Sequence, residues 1–187
     1  VLTSLLKQLT FSYIDLATQS QHKTLRSPGT MPFPGLKYTD EQIFTITNLV
    51  LPAWVLLLIA PGHKLTQLVC LLVTLIMCIG YAGTVFPIFQ SAPEGIANVF
   101  VEMGTLKGVQ KLLGNRDAAL ACWLHYCAAD LWVGRWIAID AGRRHIPRIL
   151  MAPVLLLALF LGPVGLGFYL LFRTVFPEHH TAKAKAH

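Results

Sequence analysis

The side chains most able to do chemistry in this sequence are His125 and Asp130, set five residues apart inside the apolar run 117–140 (DAALACWLHYCAADLWVGRWIAID). A carboxyl and an imidazole can give protons to a substrate and take them back, the work of a general acid and base. An imidazole can also be an axial ligand to a haem or chlorophyll metal, but none of the other apolar runs carries a histidine to face it. The plainer alternative makes His125, Asp130, Asn48 and Arg135 hydrogen-bond partners between packed helices, each bond worth only about 0.6–2 kcal/mol in a membrane.

Spacing limits these readings. On a helix a five-residue step turns about 140° and climbs about 7.5 Å, so His125 and Asp130 cannot both point at one neighbouring face. His125 shares a stripe with Ala118, Ala121, Cys122, Ala128 and Ala129, small residues that let membrane helices approach closely. Asp130 shares its stripe with Tyr126, Cys127 and Gly134, so a helix crossing at Gly134 would bring donors to the carboxylate. Arg135 and Trp136 stand one turn nearer the interface, where Arg135 can snorkel, and Asp140 has i, i+4 spacing to Arg144, an ordinary helix-end pair.

These residues need a membrane-embedded scaffold. Of the 187 residues 55% are hydrophobic and 13% charged, and the mean hydropathy is +0.59; a folded water-soluble surface needs more charge. A span takes roughly 20 apolar residues, so the sequence predicts an all-α integral membrane four-helix bundle over 43–175. Its spans fall at about 43–60, 65–86, 117–140 and 149–175, and an even number of spans puts both termini on one side. Pro61-Gly62-His63-Lys64 makes the first connection a tight turn. Residues 87–116 are too polar for a further span but suit interfacial helices, best between Thr105 and Leu113. Gly162-Pro163-Val164-Gly165 should bend the last span at Pro163.

Residues 1–42 form a separate segment. Leu2, Leu5, Leu6, Leu9, Tyr13 and Leu16 recur at helical spacing opposite Thr3, Lys7, Gln8 and Asp15, which reads as one amphipathic helix. An extended arm follows, and residues 176–187 form a polar tail. A first residue Val1 in place of Met is expected of a chain whose presequence has been removed on import into an organelle. Cys70, Cys78, Cys122 and Cys127 match no zinc, haem-attachment or iron–sulfur spacing; they are expected to be small core residues. No metal and no cofactor is predicted, and the apolar composition is compatible with a bound lipid. The formal charge of +6 suits a membrane interface, and the absence of a basic and aromatic surface pattern argues against nucleic acid. The expected partners are membrane lipids and membrane-protein subunits contacting residues 1–40 and the tail.

Three motifs carry a resemblance. Asn48-x-x-Leu51-Pro52-x-Trp54 in span one, Trp123-x-His125-x-x-x-x-Asp130-Leu-x-Val-Gly134-Arg135-Trp136-Ile-x-x-Asp140 in span three and Gly162-Pro163-x-Gly165-Leu166 in span four resemble the abscisic-acid-deficient-four-like family. Members form a four-span membrane domain related to plastid proteins required for neoxanthin synthesis. The resemblance covers roughly 43–175, and with Gly134-Arg135-Trp136 intact behind a basic arm the chain stands nearer the bacterial-type pattern. It implies packing roles for the motif residues and, by analogy with the plant activity, a cofactor-free rearrangement of an epoxy-carotenoid in which Asp130 or His125 is the acid–base residue. The combined reading is an accessory (supernumerary) subunit of a large organellar respiratory or photosynthetic complex, in the mitochondrial inner membrane or the plastid thylakoid or envelope. A carotenoid-modifying isomerase, or a carotenoid- or lipid-binding protein, is the alternative.

Overall fold

The computed structural model describes residues 39–90 and 96–177, and every regular element among them is helical. The expected amphipathic helix, the extended arm and the polar tail lie outside the described residues. The chain is a membrane protein: the runs 40–59, 64–89 and 148–175 are each long and apolar enough to cross a bilayer.

The first run combines α1 (Asp40–Ile46), a 3-10 turn (Thr47–Leu49) and α2 (Val50–Ile59). Thr39 and Gln42 form a capping box at its start, with Gln42 N donating to Thr39 Oγ1 at 3.3 Å and Thr39 N to Gln42 Oε1 at 2.9 Å. The 3-10 turn falls where Pro52, lacking an N–H, would otherwise face the carbonyl of Asn48 four residues back. After the 60–63 turn, α3 (Lys64–Gln90) returns antiparallel, and Gln67 Nε2 closes the hairpin by donating to Pro61 O at 2.6 Å. Two short helices follow, α4 (Ile96–Met103) and α5 (Leu106–Leu113), the second capped by Thr105 Oγ1, which accepts from Gly108 N at 3.1 Å.

The centre of the bundle is α6 (Arg116–Arg143), which contacts α1, α2, α3, α5 and the last helix, α7 (Arg148–Val175). It is as long as a span and less apolar, and its position explains why: most of its circumference faces protein. Ala118, Leu124, Leu131, Gly134, Ile137 and Ala141 are buried, while residues such as Leu51, Ile59, Leu72 and Phe160 on the outer helices are exposed to the lipid. Asn115 Oδ1 caps its start, accepting from Asp117 N and Ala118 N. At its other end His145 adopts φ 54° and the chain closes with Ile146 N donating to Ala141 O at 3.0 Å and His145 N to Gly142 O at 3.2 Å. That is a Schellman turn, with histidine in the left-handed position that glycine usually fills.

The last helix departs from expectation. Leu161 (φ −135°, ψ 35°) and Gly162 (φ 4°, ψ −77°) leave helical geometry, and the chain does more than bend there. The arm 148–160 runs antiparallel to α6 from its C-terminal end to Gly162, which lies against Asp130. The arm 163–175 then runs back, so that Tyr169 and Arg173 meet Asp140, and Arg144 Nη1 donates to Phe176 O at 2.8 Å. The expected fourth span, 149–175, crossing once with a bend at Pro163, is therefore a helical hairpin, and Asp40 and Phe176 stand at opposite ends of the bundle, not on one side. Pro163 leaves the carbonyl of Leu159 without its helical donor and disfavours helical geometry at the preceding residue. Gly165 lets the arms close, because a Cβ there would fall 2.2 Å from Ala158 N.

Candidate functional site

The middle of α6 collects all three sequence motifs. Asp130 lies 14 residues from Arg116 and 13 from Arg143, about 20 Å from either end at 1.5 Å per residue, which is bilayer-centre depth. Its half-buried carboxylate faces the hairpin elbow so closely that a Cβ on Gly162 would fall 2.3 Å from Oδ1 and 3.0 Å from Cγ. Among the described residues, no hydrogen bond or ion pair reaches that carboxylate.

One turn along the same stripe, α2 crosses at Gly134. The fully buried Trp54 occupies the space a side chain would need, since a Cβ on Gly134 would meet Cη2 at 2.3 Å and Cζ3 at 2.7 Å. A helix does cross at Gly134, as the small residue predicts, but it brings an indole and Leu57, not donors for Asp130. With little hydrophobic drive between helices in lipid, this close fit supplies dispersion contacts that lipid tails would make less well.

Two turns beyond Gly134, the second arm is fastened to α6. Asp140 is buried, and its Oδ2 accepts from Arg144 Nε at 2.8 Å, Arg173 Nε at 2.8 Å and Tyr169 Oη at 2.5 Å. Trp136 packs edge-on against Tyr169 at 5.4 Å between centroids and lies under the Arg173 guanidinium at 5.8 Å. The Asp140–Arg144 pair has its expected i, i+4 spacing, but it is the anchor of the hairpin and not merely a helix-end feature.

The remaining sequence candidates are dispersed. His125 lies on the exposed side of α6 with its ring 5.6 Å from that of Tyr81, and among the described residues no hydrogen bond or ion pair joins it to Asp130. Asn48 and Pro52 face outward; the polar link expected of Asn48 is made by its neighbour Thr47, whose Oγ1 accepts from Trp123 Nε1 at 3.3 Å and donates to Phe44 O at 2.6 Å. Arg135 Nε donates to Gln67 O at 3.3 Å, and the guanidinium sits 5.0 Å over the Trp132 ring. Cys70 is buried with Sγ 3.8 Å from Ala53 O, whereas Cys78 is exposed and not the core residue expected; all four cysteines are free. No cluster of three or more metal-ligating side chains occurs among the described residues.

Tyr169 and Arg173 were not singled out as a pair by sequence reasoning, although their i, i+4 spacing places both on one face of the second arm. Two cavities are lined by described residues. One of about 490 Å³ lies at the Asp40 end among Phe44, Arg116, Leu120 and Trp123. The other, of about 330 Å³, lies at the Arg144 end between the 60–63 turn and the α6–α7 connection. Neither of the two is lined by Asp130.

A protein-family model described as ABA4-like, ABA DEFICIENT 4-like, matches residues 42–169. No curated protein and no solved structure matches the chain.

Proposed function

The chain belongs to the ABA DEFICIENT 4-like family, whose model spans more than half of it, and from that premise we propose that it binds and rearranges a carotenoid or comparable apolar lipid, with Asp130 as the acid–base residue. One observation carries the reading: a carboxyl at bilayer-centre depth, half-accessible, faces the hairpin elbow with no hydrogen bond or ion pair among the described residues. Ionisable groups at that depth normally have partners or work to do. In its protonated form such a carboxyl can donate, and in its ionised form it can accept.

Rearranging an epoxide to an allenic alcohol is an isomerisation. The C–O bond opens, the oxygen takes a proton, and a carbon-bound proton leaves as the new double bond forms. One carboxylic acid can serve both steps, one oxygen giving its proton to the epoxide and the other receiving the proton from carbon. Asp130 ends as it began, and neither His125 nor a redox cofactor is required for the balance. The elbow glycine lets the backbone of the hairpin lie directly against the Asp130 carboxylate, and a ligand already dissolved in the bilayer would reach that carboxylate from the lipid-facing side of α6.

The accessory-subunit reading depends on residues 1–40 and the tail, which lie outside the described residues; the family and the Asp130 geometry favour the conversion reading. The test is expression of the full chain in a host that accumulates epoxy-carotenoid, followed by pigment extraction. Wild type should convert the pigment, and Asp130→Asn should lower the rate by about 10²–10⁴-fold, the usual contribution of a general acid or base. Equal conversion by Asp130→Asn, or a wild type that leaves every epoxy-carotenoid untouched and purifies without apolar ligand, would sink the proposal.

A further inference from the structure

The cavity at the Arg144 end carries an inference independent of Asp130 and its chemistry. Its floor is apolar, formed by Leu58, Ala138, Met151 and Leu155, and its rim carries Arg148 and His145. The surrounding end of the bundle is strongly basic. Lys64, Arg143, Arg144, Arg148 and Arg173 gather there, and Asp140 is the one acid among the described residues at that end, already shared by Arg144 and Arg173. The side chains of Lys64, Arg143 and Arg148 make no hydrogen bond or ion pair within the described residues; Arg148 lines the cavity, as do Gly62, two residues before Lys64, and Gly142, next to Arg143.

The rim is also built against local preference. His145 holds φ 54° at a turn position where glycine is the usual residue, so the fold keeps a bulky, titratable side chain at the mouth of the cavity at the expense of backbone strain. Arg148 on the lining of an apolar cavity, with Lys64 and Arg143 at the same end of the bundle and no ion pair to any of the three among the described residues, matches a molecule with an anionic head and an apolar body. A free anion would leave the floor unfilled; a neutral lipid would leave the cations unpaired.

We propose that this cavity is a binding site for an anionic phospholipid, its phosphate on Arg148 with Arg143 and Lys64 at the mouth, and the start of its acyl chains against Leu58, Met151 and Leu155. Basic pockets between membrane helices recognise such headgroups by this combination of charge and apolar depth.

The experiment uses the full chain purified in mild detergent and offered phosphatidylglycerol and phosphatidylcholine in equal amounts, with retained lipid read by native mass spectrometry and the unfolding midpoint recorded alongside. Wild type should retain phosphatidylglycerol preferentially and gain thermal stability from it. Each cation removed, Arg148→Gln or Lys64→Gln, should lower that retention about fivefold, with Arg148→Lys keeping most of it. Ala152→Phe, which leaves every charge in place but fills the cavity wall, should also lose the lipid, and this keeps the proposal testable if Arg148→Gln does not fold. Equal retention of the two lipids by wild type overturns it, as does undiminished retention in the Gln and Phe variants. Displacement of the bound lipid by equimolar inorganic phosphate would make the site one for a free anion and overturn the lipid assignment.

Discussion

Two carboxylates on one helix, ten residues apart, live in opposite conditions. Asp140 stands near the end of α6, buried, with three donors on a single oxygen. Asp130 stands at mid-bilayer depth, half-buried against a glycine, without a hydrogen bond or ion pair among the described residues. Were burial alone the guide to function, Asp140 would be the candidate. The arrangement of donors reverses that order: a carboxylate saturated by two guanidinium groups and a phenol is committed to holding two segments together, while the proposed chemistry falls to the one with no such commitment.

Removing Asp140 should therefore cost most. Asp140→Ala leaves Arg144 and Arg173 together without their acid, and breaking such a buried pair costs about 3–5 kcal/mol; chemical denaturation in detergent checks it, and a loss below that of Asp130→Asn would break the comparison. Next comes the hairpin that Asp140 anchors. Gly165→Leu should destabilise by about 3 kcal/mol, the upper part of the usual overpacking range, because the obstructing atoms are the backbone of Ala158 and not a flexible side chain. The same hairpin predicts that single cysteines placed at His63 and Pro177 in a cysteine-free background label from the same side of the membrane, whereas a straight fourth span would separate them. His145→Gly should raise stability by up to about 1 kcal/mol by relieving the left-handed turn, measured as a higher unfolding midpoint without added lipid. Asp130→Asn sharpens the comparison from the other side: its stability should change by no more than about 0.5 kcal/mol, while conversion of the pigment falls. A large stability loss there would make Asp130 a second structural anchor.

Much of this was legible along the chain. The amphipathic short helices, the tight turn at 60–63 and the helical runs follow from hydropathy and from proline and glycine positions, which act within one or two turns. Gly134 announced a close helix crossing because only a missing side chain lets another helix in. Asn48 misled for a related reason: one helical residue separates a side chain that faces lipid from one that faces protein, and Thr47, the less polar of the two neighbours, is the one turned inward. His125 likewise shares a stripe of small residues but sits at the edge of the α3–α6 contact against Tyr81.

The amino-acid sequence by itself determined that this is an all-helical membrane protein, where its helical runs lie, and that Asp130 would be placed deep in the bilayer. Only the tertiary structure decided that the last run turns back, that Asp140 is an anchor and that Asp130 faces the elbow glycine with no hydrogen bond or ion pair among the described residues. The physical reason is range. Hydropathy and helix geometry are satisfied equally by an apolar run that crosses and by one that folds in two, since both satisfy nearly all of their own backbone. The choice between them is made by Tyr169 and Arg173 finding Asp140 about thirty residues back along the chain.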